Sequence, residues 1–286
     1  MTLPRLTVVT PSLNQAGYVE RTIRSVLDQD YPNLEYIVMD GGSTDGTVEV
    51  LERFDDALAY WRSGPDEGQS WAINRGIERA TGDVVAYINS DDYYLPGAFA
   101  AALSLFDDPA VRWVAGACDY LNADGTRETL WVPKPPRGPR PRWVREIWYV
   151  PQASSFWRRD VFEEFGLLRE DLHFVFDAEF GLRLALRGLK PAIVEQTLAV
   201  RFLHDEAKSA EGARFMVEYA PVAEEFDRML PWWEHGLDRT LFFLTRAWRA
   251  LNPLRLQYKL RKKLGLLDLR ERWFGGRFAK PPHEQP

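Results

Sequence analysis

Gly82-Asp83-Val84-Val85-Ala86-Tyr87-Ile88-Asn89-Ser90-Asp91-Asp92-Tyr93-Tyr94-Leu95-Pro96 reads as a buried strand, Val84 to Ile88, that runs into two adjacent carboxylates. Two carboxylates side by side repel each other, so a chain keeps such a pair where a cation or a ligand hydroxyl offsets the repulsion. In an α/β sheet the crevice past the carboxyl end of a strand is the usual ligand site. A turn is the competing reading, with Ser90 and the aspartates capping a helix that starts at Pro96-Gly97.

The flanking sequence supplies the rest of such a sheet. Leu6 to Thr10 is a β-branched first strand that ends at Pro11-Ser12. Val19, Ile23, Val26 and Leu27 then recur at helical spacing, with Glu20, Arg21, Arg24 and Asp28 on the other face. Leu34 to Met39 is a second strand, closed by Asp40-Gly41-Gly42-Ser43-Thr44-Asp45-Gly46, and Thr47 to Phe54 is a helix capped by Thr44 or Asp45. Leu58 to Arg62 is a third strand, and Gln69 to Ala80 a helix with Ala72, Ile73, Gly76, Ile77 and Ala80 on one face. Strand, helix, strand, helix in this order implies parallel strands with right-handed crossovers.

Past Trp113–Ala117, another strand, the pattern changes. A hairpin is expected from Asp119 to Trp131 around Asp124-Gly125, then a stiff segment with five prolines from Pro133 to Pro141. Gln152–Trp157 reads as a strand, Arg159–Phe165 and Asp177–Arg187 as helices, and Ala192–Val200 as a final strand. The expected division is residues 1–210 as one α/β domain and 211–286 as a helical, basic extension.

The 286 residues suffice for a real core, and 45% hydrophobic with 27% charged residues is ordinary for a globular chain. Cys118 stands alone, which rules out a disulfide framework or a cysteine zinc site and fits a reducing, cytoplasmic setting. Neither a signal peptide nor a membrane-spanning run is expected. The net charge of −6 argues against a general nucleic-acid binder. Between Arg246 and Lys280, however, eleven Arg or Lys face only Asp268 and Glu271. A basic amphipathic stretch of this kind lies on an anionic membrane surface, here the inner face of the cell membrane, or packs on the main domain with a solvated basic face. Both readings stand at this level.

Four segments together resemble the successive motifs of family 2 glycosyltransferases: Thr10-Pro11-Ser12-Leu13-Asn14-Gln15, Asp40 to Gly46, Asp66-Glu67-Gly68-Gln69-Ser70 with Ala72 to Gly76, and Asn89-Ser90-Asp91-Asp92. The resemblance covers about Arg5 to Ser209. It implies a GT-A-like, mostly parallel nucleotide-binding sheet flanked by helices, with a C-terminal helical extension. It also implies inverting transfer of a sugar from a nucleoside-diphosphate donor, UDP foremost, to a glycan or lipid-linked acceptor in cell-surface polysaccharide synthesis. Carried over residue by residue, Pro11, Ser12, Asn14, Asp40, Gly41, Asp66, Gln69, Asn74 and Asp91 fall in the nucleotide-sugar site, with Asp40 on a base N–H. Asp92 falls on a Mg2+ or Mn2+ ion, and His204 completes that shell or touches the diphosphate. Local alternatives remain: Asp40 bonding its own loop, and Asn74 a polar residue satisfied nearby.

An inverting transfer needs a base that takes the acceptor proton during attack. Asp177, in Phe174-Val175-Phe176-Asp177-Ala178-Glu179, resembles the family's base motif, ahead of Glu179; Phe176 stands where the family more often has Glu. A plain helix cap is the alternative. Arg201 or Lys208 can neutralise phosphate charge, and Pro151-Gln152 matches a family segment lining the acceptor side; nearby Trp148, Tyr149 and Trp157 suit sugar stacking and core packing equally. Two rival functions are a non-catalytic nucleotide-sugar-binding or membrane-assembly subunit and a sugar nucleotidyltransferase. The second would want a cation in the loop after strand one, where Pro11 to Gly17 has none.

Overall fold

The computed structural model describes residues 3–122, 125–130, 150–204 and 212–229. The proline-rich segment 133–141, Trp148, Tyr149, Lys208 and the basic stretch from 241 onward lie outside the described residues. The chain divides into two units, Met1–Phe226 and Asp227–Pro286, and the sheet and its cleft belong to the first.

The elements run β1 (Leu6–Ser12), α1 (Val19–Leu27), β2 (Leu34–Asp40), α2 (Thr47–Arg53), β3 (Tyr60–Ser63), α3 (Gln69–Arg79), β4 (Val84–Tyr87), β5 (Tyr93–Tyr94), α4 (Ala98–Leu103), β6 (Trp113–Asn122), β7 (Arg127–Leu130), β8 (Ser155–Arg158), α5 (Asp160–Phe165), α6 (Phe176–Leu186), β9 (Ala192–Leu203) and α7 (Gly212–Met229). The strands form one sheet in the order β3-β2-β1-β4-β8-β6-β9-β5, with β7 paired to β6. Strands β1 to β4 are mutually parallel, and β6 is parallel to β9. The pairs of β8 with β4 and β6, of β5 with β9 and of β7 with β6 are antiparallel. The sheet is thus parallel in its first half and mixed in its second.

Both faces are covered, and strand alternation shows why. Val8, Tyr36, Val38, Val84 and Ala86 join one buried cluster with Val19, Ile23 and Val26 of α1 and Phe99 of α4. Their neighbours Val9, Ile37, Met39, Val85 and Tyr87 join the other with Ile73 and Ile77 of α3 and Phe180 of α6. Successive side chains point to opposite faces, so a sheet buried on both sides needs near-continuous apolar strands.

Two expected boundaries move, for identifiable reasons. β1 runs through Pro11 to Ser12 rather than ending at Thr10. Ile88 N–H donates to Val9 O (3.0 Å) and Gly41 N–H to Ser12 O (2.8 Å), so odd residues of β1 face β4 and even ones face β2. Pairing with β4 stops at Val9, so the N–H that Pro11 lacks falls where no partner strand continues. Likewise β9 extends past Val200 to Leu203, because β6 keeps pairing with it as far as Asn122. That extension puts Arg201, Phe202 and Leu203 on a strand. The segment 152–154 is a 3-10 turn ahead of β8, and the expected hairpin is the β6–β7 pair. The core also continues beyond residue 210, since Val222 and Phe226 of α7 are buried in it.

Gly76 sets how closely α3 lies on β1. A Cβ there would stand 2.3 Å from Val9 Cγ1. Helix propensity alone would favour Gly76→Ala by about 1 kcal/mol. Overpacking against a stiff β-branched side chain in a full core costs about 2 to 3 kcal/mol. We therefore expect Gly76→Ala to lower the urea midpoint, with a net loss of about 1 to 2 kcal/mol. A raised midpoint would mean that the helix shifts without cost.

Candidate active site

The two aspartates sit in a turn beyond β4 that three elements hold. Asp92 N–H donates to Asn89 O (3.1 Å) to close the turn. From α1, Arg21 Nη2 donates to Asp91 O (2.9 Å), and the Thr22 hydroxyl lies 2.8 and 2.6 Å from the Ser90 and Asp92 carbonyls. From β9, Phe202 N–H donates to Asp92 Oδ1 (3.1 Å), while β5 pairs with the same strand. The turn is thus built from three distant parts of the chain.

A cleft opens at this point, lined among others by Pro11, Ser12, Gln15, Asp66, Gln69, Asn89, Asp91, Asp92 and Arg201. It lies past the carboxyl ends of β1 and β4, where parallel sheets present ligand sites. Ser12 Oγ, Gln15 Oε1 and Arg201 Nε are buried here without a protein partner. Buried polar atoms are nearly always paired, so such a concentration in one cleft marks a place for a polar ligand.

The electrostatics point the same way. Burial, and then the charge of Asp91, push the Asp92 carboxyl up to about 7, while Arg201, the Phe202 N–H and the Asn89 amide pull it down. Burial also lifts Asp177 above the ordinary carboxylate range, with Arg201 and the Ala178 N–H opposing it. Burial works against the charge on Arg201, but Asp92, Tyr120 and Asp177 outweigh it and the guanidinium stays charged. The charge of Arg201 therefore acts on both Asp92 and Asp177. The phenol of Tyr87, buried and stacked on Trp157 at 5.4 Å, also feels the Asp177 charge.

His204 Nε2 lies 3.2 Å from Asp91 Oδ2, and its ring packs against Tyr18 and Phe202. Its Nδ1 is buried and unpartnered. Among the described residues no group of three or more His, Cys, Asp or Glu is placed to hold a metal ion. Two adjacent hard carboxylates still suit Mg2+ or Mn2+, which is commonly held by one or two carboxylates and completed by substrate phosphates.

Several expected site residues are engaged within the protein or fall outside the cleft lining. Asp40 already has four donors within the protein. Gly42 N–H (3.0 Å), Ser43 N–H (2.9 Å) and the Ser63 hydroxyl (2.6 Å) all donate to Oδ2, and the Ser43 hydroxyl donates to Oδ1. Its own loop and Ser63 thus hold the Asp40 carboxylate in place. Asn74 is fully buried, with Nδ2 on Leu168 O (2.9 Å) and Glu170 Oε1 (2.8 Å) and Oδ1 accepting Leu168 N–H (3.0 Å), so it ties α3 to the segment before α6 rather than lining the cleft. Asn14 joins two loops: its N–H donates to Ser43 Oγ (2.7 Å) and its Oδ1 accepts Thr44 N–H (3.0 Å). Gly41 is explained by close approach, since a Cβ there would stand 2.7 Å from Asp66 Oδ2. Asp66 therefore occupies space beside the cleft that a side chain at 41 would fill. Trp157 is 3% exposed, too buried to stack on a sugar, and belongs to the core.

Asp177 is the second residue of α6, not its cap, and its Oδ1 accepts the adjacent Ala178 N–H (2.8 Å). Sequence reading missed Gln15 and Asn89, although both stand inside the family-like motifs. Asn89 accepts from Gln69 Nε2 (2.7 Å) and donates to Asp92 Oδ2 (3.3 Å), linking two expected site residues.

The fold is that of a GT-A-like α/β protein, with a cleft at the carboxyl ends of its parallel strands. The sequence profile of glycosyl transferase family 2 matches residues 7–166. The chain is 33% identical over 196 residues to an uncharacterised glycosyltransferase of Mycobacterium tuberculosis, covering 64% of this chain and 70% of that protein. S. aureus TarS, solved with UDP-GlcNAc, superposes with a TM-score of 0.65 at 17% identity over 79% of this chain and 70% of that one. The mannosyltransferase PcManGT of Pyrobaculum calidifontis, solved with GDP-Man and Mn2+, gives 0.59 at 19% identity over 96% and 84%. The chain belongs to glycosyltransferase family 2 and is a transferase with a GT-A-like fold.

Proposed function

We propose that this glycosyltransferase moves a sugar from a nucleoside-diphosphate donor, UDP foremost, to a glycan or lipid-linked acceptor with inversion, in cell-surface polysaccharide synthesis. The observation that carries this reading is one cleft lined by Asp91, Asp92 and Arg201, in which Ser12 Oγ, Gln15 Oε1 and Arg201 Nε are buried without a protein partner. The donor's diphosphate lies at Asp91, Asp92 and Arg201, and Pro11, Ser12, Asp66 and Gln69 form the nucleoside wall.

Asp177 accepts the proton of the acceptor hydroxyl as that oxygen attacks the anomeric carbon. The bond from that carbon to the diphosphate oxygen breaks, and its electron pair leaves with the diphosphate. Arg201 faces the charge that develops there, in a water-poor site where it counts for more. A divalent cation held by Asp92 and Asp91, with His204 beside them, would supply further stabilisation of the leaving group. Raised above its ordinary range, Asp177 is a stronger base than a solvent-exposed aspartate.

Titration calorimetry with UDP and GDP, each with and without Mn2+, followed by a donor screen read by mass, tests this. We expect UDP to bind and UDP-sugar turnover to release UDP. Released pyrophosphate would indicate nucleotidyl transfer, and absence of nucleotide binding under every condition would end the reading.

No helix among the described residues is long and apolar enough to cross a membrane. A cytoplasmic enzyme with its basic 246–280 stretch against the inner membrane face is the arrangement we favour, supported by eleven basic and two acidic residues there.

A further inference from the structure

Helix α6 begins at Phe176, and the residue flanking it, Val175, makes no side-chain cap. The first amides of a helix and those just before it need acceptors. Here one side chain from far along the chain supplies them. Glu218 of α7 accepts three consecutive N–H groups: His173 on Oε1 (2.7 Å), Phe174 on Oε2 (2.6 Å) and Val175 on Oε2 (2.9 Å). Charge-assisted bonds to backbone amides are among the stronger hydrogen bonds, and a carboxylate at a helix start also complements the helix dipole.

Asp177 lies two residues past Val175, in the first turn of the same helix. Glu218 occupies the N–H groups of 173–175, so these amides do not compete for the neighbouring Asp177 carboxylate. With Glu218 on them, the Asp177 carboxylate accepts the Ala178 N–H and stays within range of the Arg201 charge. The segment is braced on both sides. Arg169 joins Glu225 of α7 (3.0 Å), and Asn74 of α3 holds Leu168 from the other side. Val222 of α7 shares the buried cluster of Phe176.

We propose that Glu218 is a positioning residue for Asp177: it takes the amides of 173–175 so that the Asp177 carboxylate stays turned toward the acceptor. This role rests on Asp177 being the base. It also makes α7 part of the catalytic apparatus, although it follows the sheet.

The experiment uses full-length Glu218→Gln, Asp177→Asn and the double variant, with amide hydrogen exchange and steady-state release of UDP from the UDP-sugar found in the donor screen. The substituted side-chain amide keeps the size of Glu218 but presents one acceptor and a donor where two acceptors stood. We expect exchange at 173–175 to speed up at least about tenfold and kcat to fall at least about tenfold, with the donor KM within about twofold of wild type. In the Asp177→Asn background, Glu218→Gln should change the residual rate by less than about twofold, because the residue it serves is already gone. Unaltered exchange, unaltered kcat, or an equal tenfold loss in both backgrounds would each overturn the proposal. A wild-type rate in Asp177→Asn alone would instead remove the base assignment, and this role with it, while the exchange data still report on the contact. Should Glu218→Gln fail to fold, Glu218→Asp, which draws the charge back by one methylene, is read the same way.

Discussion

Asp177→Asn should lower kcat for sugar transfer by about 10³-fold while leaving nucleotide affinity within about twofold of wild type. General-base catalysis is worth about 10² to 10⁴ in rate, and an amide cannot accept the acceptor proton at neutral pH. Donor binding should survive because Asp177 does not line the cleft where Asp91, Asp92 and Arg201 sit. The helix should survive too, since an Asn oxygen can still accept the Ala178 N–H that Asp177 accepts now. The pH profile gives a second check. Burial raises the Asp177 pKa, and only the ionised form works as a base. In wild type, kcat should therefore rise with pH through a limb above the ordinary aspartate range, and that limb should vanish in the variant. A variant with wild-type kcat would take Asp177 out of the mechanism.

Asp92→Asn should have two effects of opposite sign. Transfer should drop by about 10³-fold or more, and the gain in nucleotide affinity that Mn2+ confers should disappear. The metal-free protein, by contrast, should become more stable at pH 8. Folding raises the Asp92 pKa to about 7 from an unfolded value of about 4, so the folded state favours the protonated form. The resulting cost is absent below about pH 4, grows between about 4 and 7, and is complete above about 7. A shift of about three units has a ceiling of about 4 kcal/mol. Arg201 loses a partner in the variant, which takes back part of the gain. We expect about 2 kcal/mol, or about 5 °C in Tm at pH 8, and no gain at pH 4. Differential scanning fluorimetry at the two pH values, with EDTA present, checks it. A lower Tm at pH 8 would mean that the turn needs the carboxylate charge for its own hydrogen bonds.

The contrast between Asp92 and Asp40 shows where sequence reading reaches its limit. Both follow buried strands of the parallel half, and both stand in motifs of one family. Asp92 keeps a cost of burial that a ligand can relieve, whereas Asp40 has four donors from its own loop and from Ser63. Nothing in Asp40-Gly41-Gly42-Ser43 announces Ser63, 23 residues on. Asn74 carries the same lesson, because its partners Leu168 and Glu170 are 94 and 96 residues away.

Most of the order of strands and helices, apart from the short β5, and the Asp91–Asp92 pair were legible along the chain. They depend on periodicity and on neighbours within a few residues, which a linear text displays. Whether a carboxylate is free or occupied was not legible, because its partners are set by which distant strands and helices become adjacent. Folding alone brought the Arg201 charge within range of Asp92 and Asp177, placed Phe202 N–H on a carboxylate 110 residues earlier, and laid Glu218 across the start of α6.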